Sequence, residues 1–296
     1  MSLPPPAAAN FELSPLLRSP EPARAPTRTG SPEYLAIPGW AQENWLVHGF
    51  STRLGGLSRL TPSSKGDLNL GYIADDDPDT VASNRRQFLA EVWRNTELSC
   101  NLDLVTLKQM HSGLSRRVGR ADAGTRAQLW GDGLMTDEPG VLLGIQTADC
   151  LPILIADPIC RAVAAFHAGW RGTLKGIVEQ GIEAMRTEFG SDPRNMTAAI
   201  GPGIGDCCFA VGPEVEGLFR AKYSYAAQLF VSQSPLRMNL REANRQQLLS
   251  AGLLPENIHS LDMCTSCTVD RFFSYRAERG KTGRMMAVIG LRSPSR

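Results

Sequence analysis

Eight apolar runs, at residues 45–50, 104–108, 141–146, 151–156, 161–166, 196–200, 257–262 and 285–291, constrain this chain more than any other feature. Several are apolar at consecutive rather than alternate positions, which predicts strands covered on both faces. Helical spacing recurs in four places. Residues 80–95 put Val81, Phe88, Leu89 and Val92 on one side. Leu174, Ile177, Val178, Ile182, Met185 and Phe189 follow three-four intervals, with Thr173 as the expected N-cap. Pro213 opens a third segment, through Phe219, at a first-turn position that suits proline. The fourth runs from Leu240 to Leu249 and stops at Gly252. Strands and helices are interspersed without strict alternation. The expected fold class is therefore α+β, a mixed β-sheet core with helices packed outside, rather than a doubly wound parallel sheet.

Residues 1–33 contain eight prolines with scattered arginine and serine. Such a stretch buries too little apolar surface to offset its ordering entropy, so a disordered tail is expected there. Residues 34–296 are expected to form one catalytic domain, since a chain of 296 residues can bury a substantial core. A net charge of +1 points to no nucleic acid and no anionic membrane as partner. No apolar run reaches the length of a membrane span, and the N-terminus lacks a secretory pattern. A cytoplasmic protein acting on a small molecule is the expectation.

The chemistry is concentrated in three turns. His111, Cys150 and His167 each end or interrupt an apolar run beside small residues, in LVTLKQMHSG, VLLGIQTADCLPILIAD and RAVAAFHAGWRGT. Two imidazoles and a thiolate are a ligand set of the kind catalytic zinc uses, with a fourth position open. The same residues also suit ordinary roles, a hydrogen-bonded core histidine or a small buried thiol. Asp149 is a candidate proton shuttle or an orienter of the ligands, and equally a residue that caps its own turn. Arg171, in the glycine-rich turn after His167, offers bidentate contacts to phosphate or carboxylate. Arg53 before a glycine pair, Asn69 and Arg276 are further candidates for substrate contact. Phe272, Phe273 and Tyr275 either stack on a heterocyclic base or belong to the core.

Seven cysteines cannot pair off internally. Cys264 and Cys267 form a CxxC, but Cys207 and Cys208 are adjacent and break the spacing usual for structural zinc, so inert buried thiols are expected for all four. GPGIGDCC is not a dinucleotide fingerprint, because Asp206 falls where the third glycine belongs.

HGFSTRLGG, DLNLG, KQMHSG, TADCLPIL, HAGWRGTLKGI, AAIGPGIGDCCFAVGPEV, FFSYR and TGR occur in that order from about residue 40 onward. Together they resemble the YfiH-type laccase-domain family, formerly called multicopper polyphenol oxidases and described as purine nucleoside phosphorylases with adenosine deaminase activity. The resemblance implies a YfiH-like (cysteine-hydrolase-like) fold and zinc held by His111, Cys150 and His167. It also implies phosphate attack at ribose C1′ of adenosine, inosine, guanosine or methylthioadenosine. The family's QVHG reads QMHSG here, which inserts Ser112 and leaves the ligand in place.

Three alternatives explain some of the same residues. A copper polyphenol oxidase of laccase type would use the His/Cys/His set, with Met110 as a weak axial ligand. Only His48 and His259 then remain for an oxygen-reducing cluster. A metal-free amidase editing peptidoglycan precursors would use Cys150 as nucleophile, a histidine as base and Asp149 as orienter. A catalytically silent binding protein gives no reason for the three residues to converge.

Overall fold

The computed structural model describes residues 30–292 apart from 62–63, 65, 94–102 and 125–128, together with the two-residue strand Ala23–Arg24. In chain order the first strands are β1 (Ala23–Arg24), β2 (Tyr34–Ala36), β3 (Leu46–Ser51), β4 (Leu54–Ser58) and β5 (Asp103–Val105). Then come β6 (Ser115–Arg117), β7 (Gly133–Thr136), β8 (Val141–Thr147), β9 (Leu151–Asp157) and β10 (Ala162–Ala168). The last are β11 (Thr197–Ile200), β12 (Phe230–Gln233), β13 (Leu236–Met238), β14 (Ile258–Ser260) and β15 (Met285–Leu291). The helices are α1 (Pro78–Val92), α2 (Trp170–Lys175), α3 (Ile177–Phe189), α4 (Pro213–Lys222) and α5 (Leu240–Ser250).

Two six-stranded sheets, ordered β1-β2-β3-β15-β8-β5 and β14-β11-β9-β10-β7-β6, carry the architecture. Both are mixed: β5–β8, β6–β7 and β11–β14 pair in parallel, and the other neighbours are antiparallel. The sheets stack on a shared apolar layer. Val141, Leu143 and Ile145 of β8 meet Leu154 of β9 and Val163 and Ala165 of β10 there.

The opposite faces are equally apolar. Leu142 of β8 packs with Phe88 and Leu89 of α1. Ala164, Phe166 and Ala168 of β10 pack with Ile182 and Met185 of α3 and Leu248 of α5. Successive side chains of a strand point to opposite faces, and here both faces are covered, hence the consecutive apolar runs. Each fully buried Leu or Ile in these layers contributes roughly 1.5–3 kcal/mol.

All eight predicted runs form strands, but they divide between two stacked sheets with helices on the outer faces. One helix boundary needs correction. Thr173 does not cap α3. It lies inside the short α2, which begins at Trp170 with Gly169 as N-cap, and its hydroxyl is engaged by Asn244. Gly176, at φ 82°, adopts the left-handed conformation that glycine tolerates and ends α2 before α3 begins. The proline-rich segment lies outside the described residues at 1–22 and 25–29. Of the described residues before Tyr34, Ala23–Arg24 pairs with β2, and Glu33 accepts an ion pair from Arg271 at 2.6 Å. Among the described residues no helix is long and apolar enough to cross a membrane.

Candidate active site

Three adjacent strands deliver the site to one end of the second sheet. β10 ends where β9 begins, with Ala168 opposite Leu151, and β7 begins beside it, with Gly133 opposite Phe166. His167 therefore sits near the end of β10, Cys150 immediately before β9, and Asp132 immediately before β7. Residues 148–150 also form the turn by which the chain leaves β8 in one sheet and enters β9 in the other. His111 arrives on the loop after β5.

The side chains converge. The ligand atoms of His111, Cys150 and His167 all lie within 4.8 Å of one another, with Cys150 Sγ 3.9 Å from His111 Nε2. Tetrahedral zinc, with Zn–S and Zn–N distances of about 2.3 and 2.05 Å, sets an S···N separation of about 3.6 Å. The donors are thus near the spacing one ion requires. Gly169 is necessary to this proximity: a Cβ there would stand 2.8 Å from Cys150 Sγ and 2.9 Å from His111 Cδ2.

Asp132, a residue without a metal-ligand motif, organises the two histidines. Its carboxylate is fully buried and accepts from His167 Nδ1 at 2.8 Å, from the backbone N–H groups of His111 at 3.0 Å and Ser112 at 2.6 Å, and from the Ser112 hydroxyl at 2.7 Å. Burial pushes this carboxyl up. The bonds from His167 and Ser112, with the charge on His167, outweigh it and hold Asp132 well below the usual carboxylate range. An ionised carboxylate only accepts, so Nδ1 of His167 carries a proton and Nε2 faces Cys150 and His111. The same carboxylate holds His111 at φ 57°, a left-handed conformation uncommon for a residue with a Cβ.

The thiol and the imidazole polarise each other. Burial raises the Cys150 thiol, but the charge on His167 and hydrogen bonds with His111 and His167 dominate and lower it to about 6. Burial lowers His167, but the Cys150 thiolate and Asp132 raise it to about 9. Each partner thus favours the charged form of the other, thiolate for Cys150 and imidazolium for His167. The arrangement can therefore bind a soft-tolerant divalent ion after losing a proton, or present a nucleophilic sulfur.

A cavity of about 640 Å³ opens on the three residues. Lys108, Arg171, Arg276 and Arg284 line it, as do the aromatic side chains of Trp170, Phe209 and Tyr275. Of the proposed contact residues, Arg171, Arg276 and Asp149 belong to it. Asp149 has both oxygens engaged, one by the Thr265 hydroxyl and the other by the Arg276 N–H, each at 2.7 Å. At φ 86°, it shapes the turn before Cys150 and ties it to the Arg276 loop.

Arg53 and Asn69 are not brought to the cavity. The Arg53 guanidinium is consumed by Asp67, Glu278 and the Val269 carbonyl, and lies over the Phe273 ring. Asn69 is fully buried; its amide oxygen accepts from the Gly71 and Arg284 backbone, and its amide nitrogen donates to the Gly71 carbonyl and to Asp76. Phe272 and Phe273 belong to the core, while Tyr275 alone of that cluster lines the cavity. Sequence patterns offered no handle on Asp132, whose only signal is a carboxylate between two glycines. Arg284, Trp170 and Gln109, whose side-chain amide bonds both the backbone C=O and N–H of Gln146, are equally unmarked.

The chain is similar to known proteins over most of its length. Residues 47–292 match the family model described as multi-copper polyphenol oxidoreductase laccase. The chain is 37% identical over 279 residues to the purine nucleoside phosphorylase YlmD of Geobacillus stearothermophilus, covering 91% of this chain and 96% of the relative. It is 35% identical over 261 residues to the purine nucleoside phosphorylase YfiH of Escherichia coli, covering 87% and 98%. The crystal structure of YlmD from Geobacillus stearothermophilus superposes with a TM-score of 0.80 at 35% identity, covering 93% of this chain and 100% of that one. That of the Bacillus licheniformis hypothetical protein YfiH gives 0.79 at 35% identity, covering 90% and 98%.

Proposed function

Because the chain belongs to the multi-copper polyphenol oxidoreductase laccase family, we propose that it is a zinc-dependent purine nucleoside phosphorylase with adenosine deaminase activity, its catalytic unit running from residue 34 to 296. The observation that carries the reading is the make-up of one cavity. The His111/Cys150/His167 donor set opens into the same space as four basic side chains and three aromatic rings. Relatives named purine nucleoside phosphorylase support the substrate class.

In phosphorolysis a phosphate oxygen forms a bond to ribose C1′ while the bond from C1′ to the purine nitrogen breaks. Arg171 and Arg276, which line the cavity, hold the phosphate in this reading, since fixed positive charge counts most against a dianion. Trp170, Phe209 and Tyr275 offer apolar faces to the purine. When bound by His111, Cys150 and His167, zinc supplies Lewis acidity toward an oxygen of substrate. Asp149 acts as a positioning residue, since Thr265 and Arg276 already occupy its oxygens. The unbridged cysteines are in keeping with a cytoplasmic location.

Copper oxidase chemistry draws no further support from the imidazoles. His48 Nε2 accepts the Ile37 N–H at 2.8 Å, and burial lowers its pKa to about 3. His259 stands against Trp40 in the edge strand β14. A cysteine hydrolase is the second reading, favoured by the Cys150 thiol near 6 and the His167–Asp132 pair behind it. Its orienting carboxylate is Asp132 rather than Asp149.

The deciding assay supplies adenosine with and without phosphate and separates adenine, ribose 1-phosphate, inosine and hypoxanthine. The expected result is base release that requires phosphate, with inosine formed independently of it. No base release in zinc-replete protein, or release indifferent to phosphate, contradicts the proposal.

A further inference from the structure

We propose that Cys207, Cys208, Cys264 and Cys267 form a second metal centre, a closed tetrathiolate site for a zinc ion, distinct from the catalytic donor set. The four sulfurs lie within 4.8 Å of one another. Cys267 Sγ is 3.5 Å from Cys207 Sγ and 3.3 Å from Cys208 Sγ. Four sulfurs at a Zn–S distance of about 2.3 Å are separated by about 3.8 Å along each edge of the tetrahedron. The cluster matches that spacing closely enough for one ion to fill it with small side-chain adjustments. Convergence of all four is also more than a disulfide needs, which would bring only two together.

Adjacent cysteines lack the usual spacing of a structural zinc site, but the backbone turn at Cys207–Cys208 brings both to the same partner. Residues 205–209 form a tight turn, with Cys208 N and Phe209 N both donating to the Gly205 carbonyl. That turn lets two adjacent cysteines face the same partner. Cys207 and Cys267 are exposed, so these thiols are not inert core residues. Gly205 N–H donates to Cys264 Sγ at 3.2 Å, the outer-shell contact that steadies a metal thiolate. Soft sulfur ligands in a closed set of four select zinc over hard cations.

The site would act as a structural brace. It joins the 201–209 loop to the 263–276 loop, which already meet through Gly203 N to Met263 O and Thr265 N to Gly203 O. The first loop carries Ile204 and Phe209 into the cavity, and the second carries Tyr275 and Arg276. Thr265, between the CxxC cysteines, donates to Asp149 beside Cys150. The ion would therefore set one wall of the catalytic cavity without touching substrate.

Metal counting tests this independently of turnover, so failure here leaves the nucleoside reading standing. Full-length protein purified under reducing conditions is analysed by elemental mass spectrometry alongside two variants, C264S/C267S and H111A/C150A/H167A. Two zinc ions per chain are expected in the wild type and one in each variant. One ion in the wild type that survives C264S/C267S overturns the proposal, as does an intact mass showing a disulfide within the cluster. If C264S/C267S does not fold, cobalt titration of the H111A/C150A/H167A protein decides. Intense tetrahedral thiolate–cobalt absorption is expected, and a weak spectrum without thiolate bands overturns the site.

Discussion

His167 Nδ1 lies 2.8 Å from Asp132 Oδ1, and the same carboxylate accepts the backbone N–H groups of His111 and Ser112. One buried acid thus fixes the tautomer of one ligand and the backbone of another. Asp132→Asn preserves shape but removes the charge and the unconditional acceptor. Metal affinity is expected to fall by roughly 10–100-fold, the usual cost of losing such an outer partner. Competition against a chromogenic chelator measures it, and unchanged affinity would remove Asp132 from the account.

Gly169→Ala tests the closeness of the ligands. The added methyl carbon meets Cys150 Sγ and His111 Cδ2 at under 3 Å, so the ligands must part. Metal content is expected to fall below half an equivalent and turnover by on the order of a hundredfold, as for a misplacement of about 1 Å. Far-ultraviolet circular dichroism should stay that of the wild type, because Gly169 is an N-cap with an ordinary φ of −77°.

Asp149→Asn separates positioning from proton transfer. General acid–base groups contribute about 10²–10⁴-fold. With both oxygens serving Thr265 and Arg276, the amide is expected to lower kcat by less than about tenfold. KM for phosphate should rise as the Arg276 loop loosens. A kcat loss of three orders of magnitude with a lost limb in the pH–rate profile would restore Asp149 to proton transfer.

Arg53→Ala is expected to cost stability rather than substrate affinity. The side chain is nearly buried between Asp67 and Glu278, and removing one partner of such a network costs on the order of 3 kcal/mol. Urea denaturation should show that loss while KM stays within about twofold, since Arg53 lies outside the cavity.

Metal binding should release protons with a definite sign. Cys150, lowered to about 6, is already a thiolate at pH 7.5, whereas His167, raised to about 9, is still protonated. Binding at that pH is therefore expected to displace about one proton, and affinity to rise with pH until His167 is neutral. Calorimetry in buffers of differing ionisation enthalpy measures the number. Below pH 6, where the thiol protonates as well, the release should grow.

Strand positions were legible because both faces of β8, β9 and β10 are covered, which writes itself as consecutive apolar residues. Their division between two stacked sheets was not, since a run such as VLLGIQT carries no record of which sheet pairs with it. His111, Cys150 and His167 stood out through chemistry that few other residues share. Asp132 did not, because an acid that stabilises ligands from behind has no spacing rule relative to them. Arg53 and Asn69 show the converse. A glycine pair beside an arginine suits ligand approach and an internal ion pair equally, and only the positions of Asp67 and Glu278 decide between them.

The most direct measurement is anomalous diffraction at the zinc edge from crystals of protein purified without added metal. A peak about 2.3 Å from Cys150 Sγ and about 2 Å from ring nitrogens of His111 and His167 is predicted. A site without anomalous signal, in crystals of protein that still releases base from nucleosides in the presence of phosphate, would contradict a single-ion catalytic centre.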